Sequence, residues 1–473
     1  MGVFGVLGRW RGTLSLLAAL CCPHTAAADS PPSAGSAIAG NVTVVRRAPV
    51  HYRLENGLNV VLERDPAQPI VAVLVSYGAG SSYEPAGYRE LAHLTEHMAF
   101  TGSRHVPNGG IYRELARAGA AAFNGVTTRD TAEYYAIVPA RNAAVPLWLE
   151  SDRMAFTLEQ FANDAFTFER ARVRKEILER EGSSFERYLQ RALYPEDHPY
   201  RPSDDSAEAV DSLELSHAAW FFQKHYRPDN ATLVMVGDFA LPRARATVER
   251  YFGPVRNPPG RVSAPGAAQR TFRGRETLLV ESWMMQGKLA MLWVAPPRTS
   301  ADWLALALMA EMLDGEGELS LSRALLGRGL ADATSTSLET ERLSSFFRID
   351  VKQRNGAGLG AIERAVGAVI ERLQRVDDVS RSLPEARAAM VRRELWQNED
   401  YLFRAQRHAE DLRVFGKLIS RAERLDALRA VTPAQIAAAA RRYLTAGRRF
   451  TARHVHDPEV RTREGVASHE VDQ

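Results

Sequence analysis

The sequence predicts an α+β protein built from two similar domains, each a mostly antiparallel sheet covered by helices. Three observations lead to this fold class. Short apolar, β-branched runs alternate with helical patterns in both halves of the chain. Segment 254–270 is rich in proline and glycine and predicts a linker. The strand-like ending after Tyr226 recurs after Tyr443, 443 − 226 = 217 residues later, as expected of an internal repeat.

The composition is that of an ordinary globular protein. The chain has 473 residues, enough for two domains, with 45% hydrophobic and 25% charged residues. Lys and Arg number 60 and Asp and Glu 57, a net charge of +3. This near-neutral charge gives no indication of a nucleic acid or an anionic membrane as a partner.

Residues 1–28 have the pattern of a secretory signal peptide. Arg9 and Arg11 precede a short apolar run over residues 13–22, and three alanines then precede Asp29. The run is too short to span a membrane. We therefore expect an exported, periplasmic protein without a transmembrane segment.

Cys21 and Cys22 are the two cysteines of the sequence, and both lie inside the predicted signal. One alternative is a lipoprotein anchored through either of them, but Leu20 and the adjacent cysteines fit that signal poorly. Cleavage would leave no cysteine for a disulfide. It would also remove two arginines, giving a net charge of 58 − 57 = +1.

The first domain is predicted over residues 49–253, after a flexible Ser/Ala/Gly/Pro-rich lead-in at 29–48. It begins with a β-hairpin, since Asn56 and Gly57 separate two apolar runs. Ile70 to Tyr77 predicts a third strand. A small-residue strand and a second strand around residues 134–138 follow, and then two helices at about 145–156 and 166–181.

The pattern His93-x-x-Glu96-His97 lies where the sequence predicts a helix. Residues i and i+4 of a helix share a face, so both imidazoles can bind one metal ion, with Glu96 beside them. Two imidazoles suit zinc, whose catalytic sites use three protein ligands. The H-x-x-E-H order is that of the inverzincin peptidases. The alternative is a pair of surface histidines with a solvated glutamate.

A carboxylate on a second helix would complete such a ligand set. Glu169 and Glu176 are seven residues apart in the helix predicted over 166–181, so they lie on one face two turns apart. The alternative here is a charged, solvated helix surface.

Several motifs of the chain together resemble the pitrilysin/insulinase (M16) family of zinc peptidases, which includes the mitochondrial processing peptidases. The resemblance is closest to bacterial periplasmic members with one half-size chain. The motifs are Leu91–Gly102 around the metal pattern, Asn124–Asp130, Leu147–Met154, Glu169-Arg170, Lys175-Glu176, His198–Tyr200, Tyr226–Val234 and Gly237–Phe239.

The resemblance implies specific roles for six residues. His93, His97 and Glu176 would bind one Zn²⁺ per chain, and Glu96 would be the general base that activates the zinc-bound water. Glu169 would orient a ligand from outside the metal shell. Asn124, in a strand at an exposed sheet edge, would bind the peptide substrate. An ordinary Asn-Gly turn at Asn124-Gly125 is the alternative for this last role.

The second domain, predicted over residues 271–456, lacks the metal pattern. Its helix at 303–313 carries Glu311 but no histidine, so we expect a degenerate repeat. His454 and His456 form an H-x-H pair that we assign to a surface strand rather than to a metal site. The polar residues 457–473 predict a disordered tail.

A partner subunit is implied by a departure from the family. Active members are faced by a domain or subunit carrying an arginine and a tyrosine seven residues apart, which hold the substrate. The matching positions here are Leu325 and Asp332. We therefore expect a heterodimer with a homologous subunit that supplies this Arg/Tyr pair, in preference to a homodimer.

The function expected from the sequence is that of a zinc-dependent endopeptidase acting on peptides or unfolded segments, as the catalytic subunit of such a heterodimer. The alternative is a non-catalytic scaffold or chaperone-like subunit of a peptidase complex. The complete set of His93, His97, Glu96, Glu169 and Glu176 favours the enzyme.

Overall fold

The protein is described here by a computed structural model. It covers residues 48–472 apart from 108, 181–183, 203–205, 267–270, 273, 283–285 and 457–465. The predicted signal peptide and all but the last residue of the lead-in lie outside the described residues. Among the helices that are described, none is both long and apolar enough to cross a membrane.

The first sheet has six strands in the order β1-β2-β6-β3-β5-β4. Its pairs are antiparallel except for β2 and β6, which are parallel. The strands are β1 Val50–Arg53, β2 Asn59–Arg64, β3 Ile70–Tyr77, β4 Ala122–Thr127, β5 Ala132–Pro139 and β6 Ala231–Gly237. The predicted hairpin is present, and Gly57 takes the positive φ of 92° at its turn, a conformation that glycine adopts without strain.

Eight helices accompany this sheet in the described part of the chain. They are α1 Leu91–Met98, α2 Gly110–Arg117, α3 Ala144–Phe156, α4 Asn163–Arg180, α5 Ser184–Leu193, α6 Ser206–Asp211, α7 Leu215–His225 and α8 Leu241–Phe252. One face of the sheet packs with apolar residues of α1, α3, α4, α7 and α8 in a single core. The metal-pattern helix α1 is therefore held between a sheet and other helices.

The second sheet repeats the first. Its order is β12-β7-β11-β8-β10-β9, and β7 and β11 are its parallel pair. The strands are β7 Arg275–Ser282, β8 Lys288–Val294, β9 Ala331–Thr340, β10 Ser345–Gln353, β11 Phe450–His456 and β12 Val466–Asp472. Position by position, β7, β11, β8, β10 and β9 match β2, β6, β3, β5 and β4, which agrees with the predicted α+β fold of two similar domains.

The seven described helices of the second half follow the succession of α1 to α7 between the strands. They are α9 Trp303–Asp314, α10 Leu321–Leu325, α11 Leu359–Leu373, α12 Val376–Gln397, α13 Tyr401–Phe415, α14 Arg421–Ala430 and α15 Pro433–Tyr443. Residues 254–266, the described part of the predicted linker, contain neither helix nor strand. Helix α9 occupies the place of α1 in the chain order.

One helix of each half packs against the sheet of the other half. Helix α13 of the second half packs on the outer face of the first sheet, with Tyr401, Ala405 and Ala409 against its valines and leucines. Helix α5 of the first half packs on the second sheet through Phe185, Leu189 and Leu193. Each sheet is thus covered on one face by its own helices and on the other by a helix of the other half.

A buried carboxylate also joins the halves. Asp130 accepts hydrogen bonds from the Tyr200 hydroxyl at 2.6 Å and from the Arg342 backbone N–H at 3.1 Å. The Arg342 guanidinium donates to the same carboxylate at 3.2 Å. Since Asp130 is buried and paired on both sides, it fixes the second half directly against the first.

Two expectations are wrong. The disordered tail is predicted over residues 457–473, of which 457–465 and 473 lie outside the described residues, but Val466–Asp472 form β12 and pair with β7 along their full length. The H-x-H pair does not lie on a surface strand, because β11 runs between β7 and β8 and His454 is 1% exposed. Strand β12 forms through backbone pairing despite its polar composition. His454 is buried because β11 lies inside the sheet and not at its edge.

Candidate metal centre

Helix α1 buries one face and leaves the two histidines together on another. Leu91, Leu94 and Met98 are buried in the core of the first half. His93 and His97 are partly buried, and their ring centroids lie 5.0 Å apart. The i, i+4 spacing therefore produces the shared face that the sequence predicts.

The start of α1 has an unusual construction. Glu90, the residue before the helix, has φ 68° and ψ 7° and provides no capping hydrogen bond. The buried Glu84 carboxylate instead accepts the Ala92 backbone N–H at 2.9 Å. Burial, together with the nearby Glu90 carboxylate, raises the pKa of Glu84 to about 8.

Helix α4 brings Glu176 to the two imidazoles. Its Oε2 lies 3.5 Å from His93 Nε2 and 3.6 Å from His97 Nε2. The potential ligand atoms of these three residues all lie within 4.8 Å of one another. Nitrogen and oxygen ligands about 2.0–2.1 Å from a tetrahedral zinc lie about 3.3 Å apart, so the three side chains fit a single zinc ion.

Each imidazole has a second carboxylate near its Nδ1 atom, on the side of the ring opposite Glu176. Glu169 Oε2 lies 3.0 Å from His97 Nδ1, and Arg172 donates to the same carboxylate at 2.9 Å. Glu90 Oε2 lies 3.5 Å from His93 Nδ1. A carboxylate at Nδ1 favours the tautomer that leaves Nε2 available as a metal ligand.

The site favours positive charge. Burial disfavours a protonated His97, but the hydrogen bonds with Glu169 and Glu176 outweigh burial and raise the pKa of His97 to about 9. The pKa of His93 is raised against burial by Glu176 and Glu90. The two histidines in turn lower the pKa of Glu176. A concentration of carboxylates around two imidazoles is also the charge arrangement that suits a divalent cation.

Glu96 is not one of this ligand set and lies against strand β4. Its Oε2 accepts the Thr127 hydroxyl at 2.7 Å, and the residue is 9% exposed. A side chain at position 125 would not fit beside it, because a Cβ on Gly125 would lie 2.7 Å from Glu96 Oε1 and 2.8 Å from the Phe100 ring. The glycine thus allows the carboxylate to lie directly against the strand.

Asn124 and Gly125 both belong to β4 and do not form a turn. Strand β4 is at the end of the described sheet, with β5 as its paired neighbour. Asn124 is exposed there. The edge strand that carries Asn124 is therefore also the strand that holds Glu96.

The two positions of the expected Arg/Tyr pair have other surroundings. Leu325 ends helix α10 and is fully buried. Asp332 is in β9, where it accepts hydrogen bonds from Arg354 and Gln286, each at 3.0 Å. Neither residue can replace the hydrogen-bond donor of an arginine or a tyrosine.

Three contributing residues were not predicted from the sequence. Arg172 follows Glu169 at i+3 on α4, a spacing that could have indicated the pair. Glu90 precedes His93 at the same i, i+3 spacing, but its position also depends on one backbone conformation. Thr127 had no comparable signal, because it meets Glu96 across two elements.

These features define a class of protein: a two-repeat α+β protein with a candidate two-histidine, one-glutamate metal centre in its first repeat. The insulinase (peptidase family M16) model matches residues 59–199, and the peptidase M16 inactive-domain model matches residues 213–379. The chain belongs to the M16 peptidase family. The first match includes α1 and α4, and the second includes α9 without histidines.

Individual relatives agree with this assignment. The chain is 28% identical over 340 residues to insulin-degrading enzyme-like 1 of Arabidopsis thaliana, covering 68% of this chain and 34% of that protein. It is 25% identical over 336 residues to a probable mitochondrial-processing peptidase subunit beta of Schizosaccharomyces pombe, covering 69% and 70%.

Among solved structures, a protease from Helicobacter pylori has the same fold. Its TM-score is 0.77 at 20% identity, with 86% of this chain and 99% of that chain covered. The chain thus spans about a third of the plant relative but nearly the full length of the bacterial protease.

Proposed function

We propose that this chain is a zinc-dependent endopeptidase that hydrolyses peptides or unfolded protein segments. The observation that carries the proposal is the convergence of His93, His97 and Glu176 beside a buried, oriented Glu96. A zinc ion held by the first three residues would supply Lewis acidity, polarising a peptide carbonyl and lowering the pKa of a water.

Glu96 is the group that moves protons in this proposal. Its carboxylate accepts a proton from the attacking water and returns it to the nitrogen of the leaving amine. The Thr127 hydroxyl donates to Oε2, so the other carboxylate oxygen remains the one available for proton transfer. Gly125 has no side chain that would collide with that oxygen.

Substrate binding is proposed at the edge of the first sheet. A peptide added beside β4 as a further strand would make main-chain hydrogen bonds without strict sequence requirements. Asn124 is exposed on that strand and is the proposed side-chain contact. The small residues of the strand allow a peptide backbone to approach closely.

The test of the proposal is cleavage of unstructured peptides by the purified protein, with and without a zinc chelator. Glu96→Gln should retain zinc and the fold but lose about 100- to 10,000-fold in turnover, because it removes the proton acceptor. Glu311→Gln, on the corresponding helix α9, is the matched control and should cleave normally. Equal turnover in Glu96→Gln would eliminate the general-base role.

We also propose that the active form is a heterodimer with a homologous subunit. With Leu325 buried and Asp332 already paired with Arg354, this chain offers no donors at the positions where the family holds substrate. The purified chain should cleave peptides poorly alone and efficiently with the partner. Efficient cleavage by the chain alone would refute the heterodimer, and no cleavage by the zinc-loaded complex would favour a scaffold.

Export to the periplasm is the proposed localisation. It depends on the signal-like residues 1–28. Amino-terminal sequencing of the protein recovered from a periplasmic fraction should begin at Asp29. Recovery with Met1 intact in the cytoplasm would refute it.

A further inference from the structure

Glu90 has a backbone conformation that a residue with a side chain rarely adopts. Its φ of 68° makes it the one non-glycine residue with positive φ in the described part of the chain. In this region Cβ approaches the neighbouring carbonyl oxygen, so the conformation is strained for any residue except glycine. Strain of this kind persists when surrounding contacts enforce it, and it is frequent at functional sites.

The contacts on both sides of Glu90 hold it in place. The buried Glu84 carboxylate accepts backbone N–H groups at residues 90 and 92. The Arg89 guanidinium donates to the carbonyl oxygens of His198 and Pro199 at 3.3 and 3.0 Å. The chain is therefore fixed immediately before and after residue 90.

The fixed backbone directs the Glu90 side chain back over the first turn of α1. Its Oε2 lies 3.5 Å from Nδ1 of His93, whose Nε2 lies 3.5 Å from Glu176. The imidazole is thus between an inner and an outer carboxylate. His97 also lies between two carboxylates, with Glu176 at Nε2 and Glu169 at Nδ1, but Glu169 is closer to its imidazole, at 3.0 Å.

A purely structural role explains this glutamate poorly. It makes no capping hydrogen bond to α1. Its carboxylate lies near the Glu84 carboxyl and raises the pKa of that buried group, so it makes ionisation of Glu84 less favourable. A glycine would adopt the same backbone without strain, so what the glutamate adds is its carboxylate beside His93.

We propose that Glu90 is a positioning residue for the metal centre. Its carboxylate accepts the Nδ1–H of His93 and so fixes the tautomer and the ring orientation that present Nε2 to the metal. It does for His93 what Glu169 does for His97. This inference depends on the proposed function, because it requires that the site binds a metal ion.

The test measures zinc affinity and stability separately. Zinc dissociation constants are determined by competition with a chromophoric chelator, and melting temperatures are measured on the metal-free protein. Glu90→Gly should bind zinc about 10- to 100-fold more weakly, the usual effect of losing a hydrogen-bond partner behind a ligand. Its metal-free form should nevertheless melt at a higher temperature, since glycine relieves the strain.

Two further variants separate the charge from the backbone. Glu90→Gln keeps the side-chain length but accepts a weaker hydrogen bond, so its zinc affinity should also fall by roughly tenfold. Glu55→Gln, an exposed carboxylate on the β1–β2 turn, should bind zinc like the unmodified protein. Tight zinc binding by both Glu90 variants would overturn the proposal. Absence of zinc binding by the unmodified protein would instead overturn the proposed function.

Discussion

The two repeats share one sheet order but differ in what their corresponding helices carry. In the first repeat, α1 is short, follows the strained Glu90, and presents His93 and His97 to α4. In the second, α9 is longer and mostly apolar, and its Glu311 pairs with Arg393 of α12 at 2.7 Å. The scaffold alone therefore defines no metal centre.

The difference lies in the side chains that the corresponding helix pairs carry. Both helix pairs pack in the same place relative to their sheets, α1 with α4 and α9 with α12. In the second pair a guanidinium satisfies the carboxylate that a metal ion could otherwise use. Helices α9 and α12, which pair their charges and contribute no histidine ligands, can then have a purely structural role.

The largest effect should come from the ligand that joins the two helices of the first repeat. Glu176→Gln removes the anionic oxygen that lies within 3.6 Å of both imidazoles, so zinc content should fall from about one per chain to near zero. Peptide cleavage should be lost with it. His93→Ala and His97→Ala should behave in the same way.

Elemental analysis after dialysis is the measurement, and Glu385→Gln is its control. Glu385 is an exposed carboxylate on α12, the counterpart of α4. The Glu385→Gln substitution should leave the zinc content unchanged. Full zinc occupancy in Glu176→Gln would remove this residue from the ligand set. The proposed difference between the two helix pairs, in which α4 but not α12 supplies a metal ligand, would then be wrong.

A smaller effect should follow from loosening Glu96. Thr127→Val removes the hydroxyl that donates to its carboxylate at 2.7 Å, and turnover should fall about 10- to 100-fold, since a hydrogen bond to a charged group contributes about 1.5–3 kcal/mol. Zinc content should stay at one per chain. Steady-state kinetics and metal analysis on the same sample distinguish a loss of turnover from a loss of zinc.

The matched control lies on the corresponding edge strand of the second repeat. The hydroxyl of Thr336 on β9 has no hydrogen-bond partner among the described residues. Thr336→Val should therefore leave turnover unchanged. If both threonine variants lose turnover equally, the effect comes from the sheet edges and not from Glu96.

Local sequence patterns predicted much of the fold and the centre of the site. An apolar run located β3, and the helical spacing placed His93 and His97 on one face. These features depend on burial within one element, which the order of residues encodes directly. The approach of Glu176 from another helix was implied by the family resemblance, not by spacing.

The remainder depends on contacts that local patterns do not record. Strand β9 is rich in Ser and Thr, and β12 is polar, yet both join the second sheet through backbone hydrogen bonds. Burial of His454 follows from the position of β11 between two neighbours. Thr127 and Glu90 act through one long-range contact and one φ angle.

Acid sensitivity should distinguish the repeats by a more modest amount. His225 ends α7, and neither of its ring nitrogens has a hydrogen-bond partner among the described residues. Burial, together with Lys224 and Arg227, lowers the pKa of His225 to about 3. The 217-residue offset of the repeat places the exposed Arg442 at the corresponding position, so this buried neutral imidazole belongs to the first repeat.

The pKa of His225 is lower in the folded state than its ordinary value of 6.5. As the pH falls below 6.5 the unfolded chain binds this proton first, so stability is lost progressively toward pH 3. By pH 5.5 the loss should be about 1.4 kcal/mol. Urea unfolding at pH 7.5 and 5.5 measures it, and His225→Phe, which keeps a buried ring, should show a smaller loss. An identical pH dependence in both proteins would contradict the assignment.

The smallest effect concerns the outer strands, which the repeats obtain from opposite ends of the chain. In the first sheet β1 precedes β2 in sequence, whereas in the second sheet β12 pairs with β7 from far downstream. Truncation after His456 should expose the amides of β7 along that edge. The site in the first repeat should keep its zinc and its turnover, because β12 pairs with β7 of the second sheet, whereas His93, His97 and Glu176 lie on α1 and α4 of the first repeat. The melting temperature should fall by only a few degrees, at roughly 2–4 °C per kcal/mol.

Hydrogen exchange of the backbone amides is the decisive measurement. The amides of β7 should exchange faster after truncation, whereas those of β2 should exchange at an unchanged rate. Unchanged protection of β7 after truncation would mean that β12 does not pair with it in solution, and the second sheet would then end at β7.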